Sequence, residues 1–193
     1  MLQFDEVMAI FKEAGVLQEG HFLLTSGRHS AQYLQCAKVF QNTKYSEVVC
    51  ADLAEKFKDY GITVVIGPAM GAVQMAYEVS RHLNVPNFFT ERVDGQMVLR
   101  RGFTLSPEDK VLIVEDVVTT GGSVKEVIEI VLASGAAVAG VGSIVDRTGG
   151  EMDFGFPFQS VVSMKVVSYT EEECPLCKEQ IPVVKPGSRT IKK

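Results

Sequence analysis

The chain has 193 residues, 46% of them apolar and 22% charged, with 17 Gly, 7 Pro, 4 Cys and no Trp. That length can bury the core of one α/β domain, and no repeat or low-complexity tract points to collagen, coiled coil or bulk disorder. A net charge of −5 and a pI near 5.3 leave no electrostatic footprint for nucleic acid, and no apolar run approaches the ~20 residues that span a bilayer.

Phe4, Val7, Met8 and Phe11 recur at helical spacing, with acids in the first turn and Gly15 placed to stop the helix. Asp5, Glu6 and Glu13 make this start unlike a signal peptide, so a cytoplasmic protein is expected. Tyr45, Val49, Cys50, Leu53, Ala54 and Phe57 repeat the helical pattern up to Gly61. Residues 62–66 are β-branched and apolar, as in a buried parallel strand, and run through Gly67-Pro68-Ala69-Met70-Gly71 into a helix over about 72–83. A strand is expected at 85–90. Residues 91–107 are polar and carry Arg92, Gly95, Arg100, Arg101 and Gly102, which suits a mobile hairpin or lid. Strands follow at 111–115, 137–145 and 161–169, with a helix over 122–134. Thr170 and Glu173 form a capping-box spacing for a short last helix.

Strands alternating with helices imply a mostly parallel central sheet flanked by helices. With no internal repeat, and no linker-like tract before residue 184, the chain reads as one domain over 1–193. Ligands of such sheets sit beyond the carboxyl ends of the strands. The segments 67–71, 115–123 and 146–150 all lie at such ends, so they should converge on one cleft.

Four cysteines in a cytosolic chain do not suggest a disulfide framework. Cys36 and Cys50 read as buried thiols. Cys174-Pro175-Leu176-Cys177 is a single CxxC, which supplies only part of a structural zinc site and would need partners from elsewhere. It reads more simply as a tail turn that tucks two small side chains inward.

The most informative stretch is Glu115, Asp116, Val117, Val118, Thr119, Thr120, Gly121, Gly122 and Ser123 behind the apolar strand. Two adjacent carboxylates, acceptors only, suit a vicinal diol. The hydroxyls and glycines at a helix start offer backbone N–H groups and a positive dipole end to a phosphate. Together they describe a site for a phosphorylated sugar. Neither Walker A nor GxGxxG spacing is present.

This stretch resembles the phosphoribosyl diphosphate (PRPP) signature of type I phosphoribosyltransferases. The resemblance implies that Glu115 and Asp116 hold the ribose hydroxyls while Thr119, Thr120, Gly121, Gly122 and Ser123 cradle the 5-phosphate. Three further segments resemble the orotate phosphoribosyltransferases. Phe22-Leu23-Leu24-Thr25-Ser26-Gly27-Arg28-His29-Ser30 looks like part of their N-terminal hood, here about residues 1–40. Ala69, Met70 and Gly71 fall in their pyrophosphate loop, and Asp146-Arg147 matches their orotate-contacting arginine. The tail, with Glu173 to Cys177 and Lys185-Pro186-Gly187-Ser188-Arg189, looks like that of a bacterial and archaeal subgroup. A planar guanidinium suits the anion orotate, so Arg147, Thr119 and Arg28 are the expected orotate contacts.

The family's lid carries Lys and His, and its hood and pyrophosphate loop each carry a further Lys. This chain has Thr25 and Met70-Gly71 at the latter positions, and neither Lys nor His between Glu91 and Arg101. Arg92, Arg100 and Arg101 are therefore the expected catalytic lid cations, together with Asp116. The resemblance further implies Mg²⁺ held mainly by substrate oxygens, and a homodimer whose lid reaches the neighbouring site. No nucleic-acid or membrane partner is expected. The rival readings are a purine phosphoribosyltransferase and a PRPP-sensing nucleic-acid-binding regulator on the same fold. Asp146-Arg147 and the hood segment argue against the first, net acidity against the second.

Overall fold

The computed structural model describes residues 1–24 and 26–186. Thr25 and the Gly187-Ser188-Arg189 part of the tail, both used in the resemblance, lie outside the described residues. Helix α1 (Phe4–Glu13) leads into two short strands, β1 (Leu17–Leu23) and β2 (His29–Leu34). They pair antiparallel as a separate small sheet, in the segment expected to form the hood. A 3₁₀ turn (Cys36–Gln41) then enters α2 (Thr43–Phe57), whose first turn is capped by the Asn42 side chain.

The rest of the chain alternates: β3 (Val64–Pro68), α3 (Val73–Leu83), β4 (Asn87–Val93), β5 (Gln96–Leu99), β6 (Lys110–Val118), α4 (Gly122–Ala133), β7 (Ala137–Asp146) and β8 (Phe158–Ser163). These strands make a six-stranded sheet in the order β5-β4-β3-β6-β7-β8. All pairs are parallel except β4 with β5. The central strands are apolar because both faces are covered. On one face, α1, α2 and α3 bury Phe11, Leu53, Phe57 and Met75 with Leu112 and Val114 of β6. On the other, α4 buries Val124, Val127 and Val131 with Ile66 of β3 and Ile113 of β6. The alternation along β6 thus feeds two cores.

Three expectations shift. The strand expected at 161–169 is β8 at Phe158–Ser163, because its ladder with β7 runs from Val141↔Phe158 to Asp146↔Ser163. The expected lid is half strand: β4 continues past Thr90 and turns through Asp94 and Gly95, both at positive φ, into β5. A two-residue Asp-Gly turn of this kind matches the twist of a hairpin. Phe103 on the return arm stacks on Phe88 at 4.8 Å and packs edge-on to Phe89. The last helix, α5 (Pro175–Lys178), starts later than expected. Thr170 still bonds Glu173 through both side chain and backbone, but within the turn that precedes the helix.

Candidate active site

A cleft of about 470 Å³ opens at the carboxyl ends of β6 and β7. Its floor and rim are Glu115, Asp116, Val117, Val118, Thr119, Thr120, Gly121, Gly122 and Ser123, with Arg147 opposite and Arg92 and Glu126 at one edge. Residues Tyr33 to Cys36, where β2 leaves the small sheet, close a further side, and Pro186 of the tail touches it too.

The cup has a local cause. Gly121 caps α4 at φ +70, a backbone region that favours glycine, and its missing Cβ makes room for Phe154, whose ring would stand 2.7 Å away. Lys125 N–H donates to the Gly121 carbonyl, so the helix starts here, with N–H groups turned toward the cleft end. Gly122 differs, because a Cβ there would meet only the Thr120 hydroxyl at 3.8 Å, so its outer side is open. On the acidic side, Asp116 Oδ1 accepts the Val117 N–H at 2.8 Å, which fixes the carboxylate against its own strand. Gly71 lies beside it: a Cβ would come within 3.0 Å of that carboxylate. Ala69 and Met70 are not part of the cleft lining, and Met70 is 88% exposed.

Asp146 and Arg147 are adjacent in sequence and opposite in role. Asp146 is buried and accepts from Thr148 N–H and Oγ, Gly150 N–H and Ser163 Oγ, all at 2.6–3.0 Å. Burial alone would raise its carboxyl, but these hydrogen bonds outweigh it and hold the group below the ordinary carboxylate range. Arg147 N–H donates to the Val118 carbonyl, placing the side chain beside the cup. Its Nε is buried with no hydrogen-bond partner among the described residues, and burial draws the guanidinium below its usual value. A desolvated arginine nitrogen at a cleft wall is a group that awaits an anion. Tyr33 and Cys36 flank it as neutral groups, since burial pushes both upward.

The lid arginines are all engaged. Arg92 donates to Glu126 at 2.5 Å and to the Gly95 carbonyl at 2.7 Å, tying the hairpin to α4. Glu126 raises the Arg92 guanidinium in return. Arg100 and Arg101 both face Glu91, at 3.8 and 3.0 Å, and neither lines the cleft. Arg28 also lies outside the lining: it is exposed and donates to the Ser168 hydroxyl and carbonyl at 2.9 and 2.7 Å.

Sequence reasoning missed Tyr33, Leu34, Gln35, Cys36, Glu126 and Pro186. Glu126 was findable, one helical turn beyond Gly122 on the same face. Tyr33 to Cys36 come from a segment that carries no motif of its own, and Pro186 lies in the tail run that pointed only to a subgroup.

The phosphoribosyl transferase domain family matches residues 38–172. The orotate phosphoribosyltransferase of Caldanaerobacter subterraneus subsp. tengcongensis is 57% identical over 98% of this chain and 100% of its own length. That of Thermotoga maritima is 52% identical over 96% of this chain and 100% of its own length. This chain belongs to the orotate phosphoribosyltransferase family. Among solved structures, the orotate phosphoribosyltransferase of Aeropyrum pernix gives a TM-score of 0.69 at 24% identity, over 81% of this chain and 93% of that one. The adenine phosphoribosyltransferase of Rhodothermus marinus gives 0.66 at 17%, over 81% of this chain and 99% of that one. The shared fold is thus indifferent to the base, and the long sequence relatives carry the distinction.

Proposed function

We propose that this protein transfers the 5-phosphoribosyl group from PRPP to orotate, giving orotidine 5′-monophosphate and pyrophosphate in de novo pyrimidine synthesis. The observation that carries the base assignment is Arg147, which lines the cleft beside the cup and whose buried Nε has no partner among the described residues. The orotate carboxylate and imide edge match a planar guanidinium fork, whereas a neutral purine does not. Thr119 lines the same cleft as Arg147 and is read as a contact to both sugar and base.

In the reaction the bond from C1 of the ribose to the pyrophosphate oxygen breaks as a bond from C1 to the orotate ring nitrogen forms, and the proton that nitrogen carried is released to the pyrophosphate or to water. Positive charge develops on the ribose ring, and negative charge on the departing pyrophosphate. Glu115 and Asp116 grip the ring hydroxyls, and the N–H groups at the start of α4 hold the 5-phosphate. The sugar is thereby fixed while its C1 moves between the two nucleophiles. Cys36 and Tyr33 stay protonated and do not serve as nucleophiles. Arg92, the lid cation nearest the cleft, leaves Glu126 for the departing pyrophosphate, an interaction that grows as charge develops. The loop of Ala69, Met70 and Gly71 borders the pyrophosphate side, against Asp116. Arg28 ties the hood to the tail through Ser168.

The carboxylates at the cleft, Glu115, Asp116 and Glu126, would suit a hard cation that prefers oxygen, and Mg²⁺ would be held mainly by substrate oxygens beside them. When bound it offsets the diphosphate charge. The working unit is read as a cytoplasmic homodimer in which Arg100 and Arg101 reach the neighbouring site. Mixing an Arg100→Ala/Arg101→Ala chain with an Asp116→Ala chain, each inactive alone, should then restore part of the activity.

The direct test follows the absorbance of orotate on mixing with PRPP and Mg²⁺. Consumption should need all three components, and adenine, guanine and hypoxanthine should neither react nor compete. Turnover of a purine with none of orotate would overturn the assignment.

A further inference from the structure

We propose that the junction between the small N-terminal sheet and the tail is a structural zinc site made by His21, His29, Cys174 and Cys177. The ligand atoms of these four side chains all lie within 4.8 Å of one another. The individual separations are 3.6 Å for His21 Nε2 to each sulfur, 3.2 Å for His29 Nδ1 to Cys177 Sγ, and 2.8 Å between the two nitrogens. Tetrahedral Zn²⁺ with its usual bonds to nitrogen and sulfur sets ligand atoms roughly 3.3–3.8 Å apart. The two His21–sulfur distances already match, His29 needs to draw back slightly from Cys177, and the nitrogen pair needs to open by about half an ångström. Two imidazoles and two thiolates are the borderline-soft set that selects zinc over magnesium or calcium.

The surroundings are built for the role. His21, His29 and Cys174 are all buried, at 3%, 5% and 0% exposure. His21 Nδ1 lies 2.7 Å from the Ile181 carbonyl, so it carries the proton and turns the Nε2 lone pair toward the sulfurs. Such a second hydrogen bond fixes the tautomer that a metal-bound histidine needs. The ligands come from β1, from the first residue of β2, and from both ends of the CxxC at α5. Main-chain pairing brings them together: His29 exchanges two hydrogen bonds with Tyr169, and Val184 pairs with His21 and Leu23. The CxxC sits between those two anchor points. The two partners that a lone CxxC lacks are therefore present in the same chain, and they lie 148 and 153 residues away.

Binding is not redox chemistry. Each thiol gives its proton to the solvent, and each sulfur and imidazole nitrogen donates a lone pair to the ion. The cross-link holds β2, which runs straight into Tyr33 to Cys36 on the cleft wall, and the tail segment that brings Pro186 to the cleft.

The protein purified without chelator should carry about one zinc per chain by elemental analysis. Cys50→Ala should leave that content unchanged, whereas Cys174→Ser/Cys177→Ser should bring it below one-tenth. Reduced, zinc-stripped wild-type protein titrated with Co²⁺ should show tetrahedral ligand-field bands with thiolate charge transfer, which needs no variant to fold. Restoring zinc should raise Tm by at least about 5 °C. Zinc content under one-tenth with no thiolate–cobalt band in the reduced protein would overturn the proposal in favour of a bare hydrogen-bonded histidine pair. So would full zinc retention by the double cysteine variant. None of these readings depends on turnover.

Discussion

The strand-to-helix cup and the hood–tail junction are both polar clusters held by backbone ends, and they are assembled in opposite ways. The cup is contiguous: β6 ends, two carboxylates emerge, and the N-terminus of α4 follows within nine residues, from Glu115 to Ser123. Its chemistry is written along the chain because a single strand-to-helix turn makes the whole cup. The junction draws His21 and His29 from one hairpin and Cys174 and Cys177 from the far end of the sequence. No spacing rule connects them until the tail pairs with β1 and β2. A site made by one turn is read from sequence, whereas one made by topology needs the fold.

Arg147 tests that contrast hardest, because it belongs to the cleft but comes from a different strand than the cup. Arg147→Ala removes a desolvated cation and should weaken orotate by on the order of 2–5 kcal/mol, a rise in its KM of at least about 30-fold. PRPP affinity should stay nearly intact. Equal losses for both substrates would mean that Arg147 shapes the cleft and does not read the base.

The lid gives the next largest effect. Arg92→Ala should cut kcat by about 10²-fold with a far smaller change in PRPP affinity, the pattern of a contact made chiefly in the transition state. Parallel changes in kcat and PRPP binding would place Arg92 in ground-state recognition.

Asp146 anchors the loop behind Arg147, and its effect is on stability. Asp146→Asn puts amide hydrogens against the N–H and O–H donors of Thr148, Gly150 and Ser163, and should cost about 1–3 kcal/mol at pH 7. The sign with pH follows from its depressed carboxyl. A group protonated less readily when folded contributes stability above the ordinary Asp value of about 3.9, and loses it as pH falls through the lower folded value. The gap between wild type and variant in denaturant titrations should therefore narrow below about pH 4. A gap that widens in acid would contradict the hydrogen-bond account.

The two glycines of the cup sharpen the reading further, since they look alike in sequence and differ in space. Gly122→Val should leave Tm almost unchanged and raise the PRPP dissociation constant by at least ~10-fold, about 1.4 kcal/mol, because its side chain points into open cleft. Gly121→Val should instead destabilise the fold, through its positive φ and the Phe154 ring. Normal PRPP binding by a folded Gly122→Val protein would remove the cup assignment.

What was legible followed the same division. The alternation of apolar strands and amphipathic helices gave the parallel sheet, and the run from Glu115 to Ser123 gave the cleft floor, since both are local patterns. The hood strands were not seen as strands, because Leu17 to Leu23 carries Gln18, Glu19, Gly20 and His21 and holds its shape by pairing with β2 and the tail. The last strand was displaced because Val161 to Tyr169 is the more β-like run, while the ladder with β7 starts at Phe158. Arg28 and the lid arginines were visible as cations, but their partners, Ser168, Glu91 and Glu126, are set by tertiary packing.

The smallest expected effect concerns Glu126, and it asks whether the lid hairpin is latched or merely resting. Arg92 and Glu126 are both partly exposed, at 44% and 37%, so their ion pair contributes little to stability, under about 1 kcal/mol. Glu126→Gln should accordingly leave Tm within about 2 °C. If Arg92 must leave Glu126 to meet the departing pyrophosphate, weakening that pair lowers the cost of the move. The variant should then show kcat equal to wild type or up to about 3-fold higher, less than 0.7 kcal/mol in the barrier. Combined with Arg92→Ala, the change should add nothing, since its effect runs through that arginine. A kcat lowered tenfold by Glu126→Gln alone would show instead that Glu126 acts on the substrate side of the cleft, and the latch would have to be abandoned.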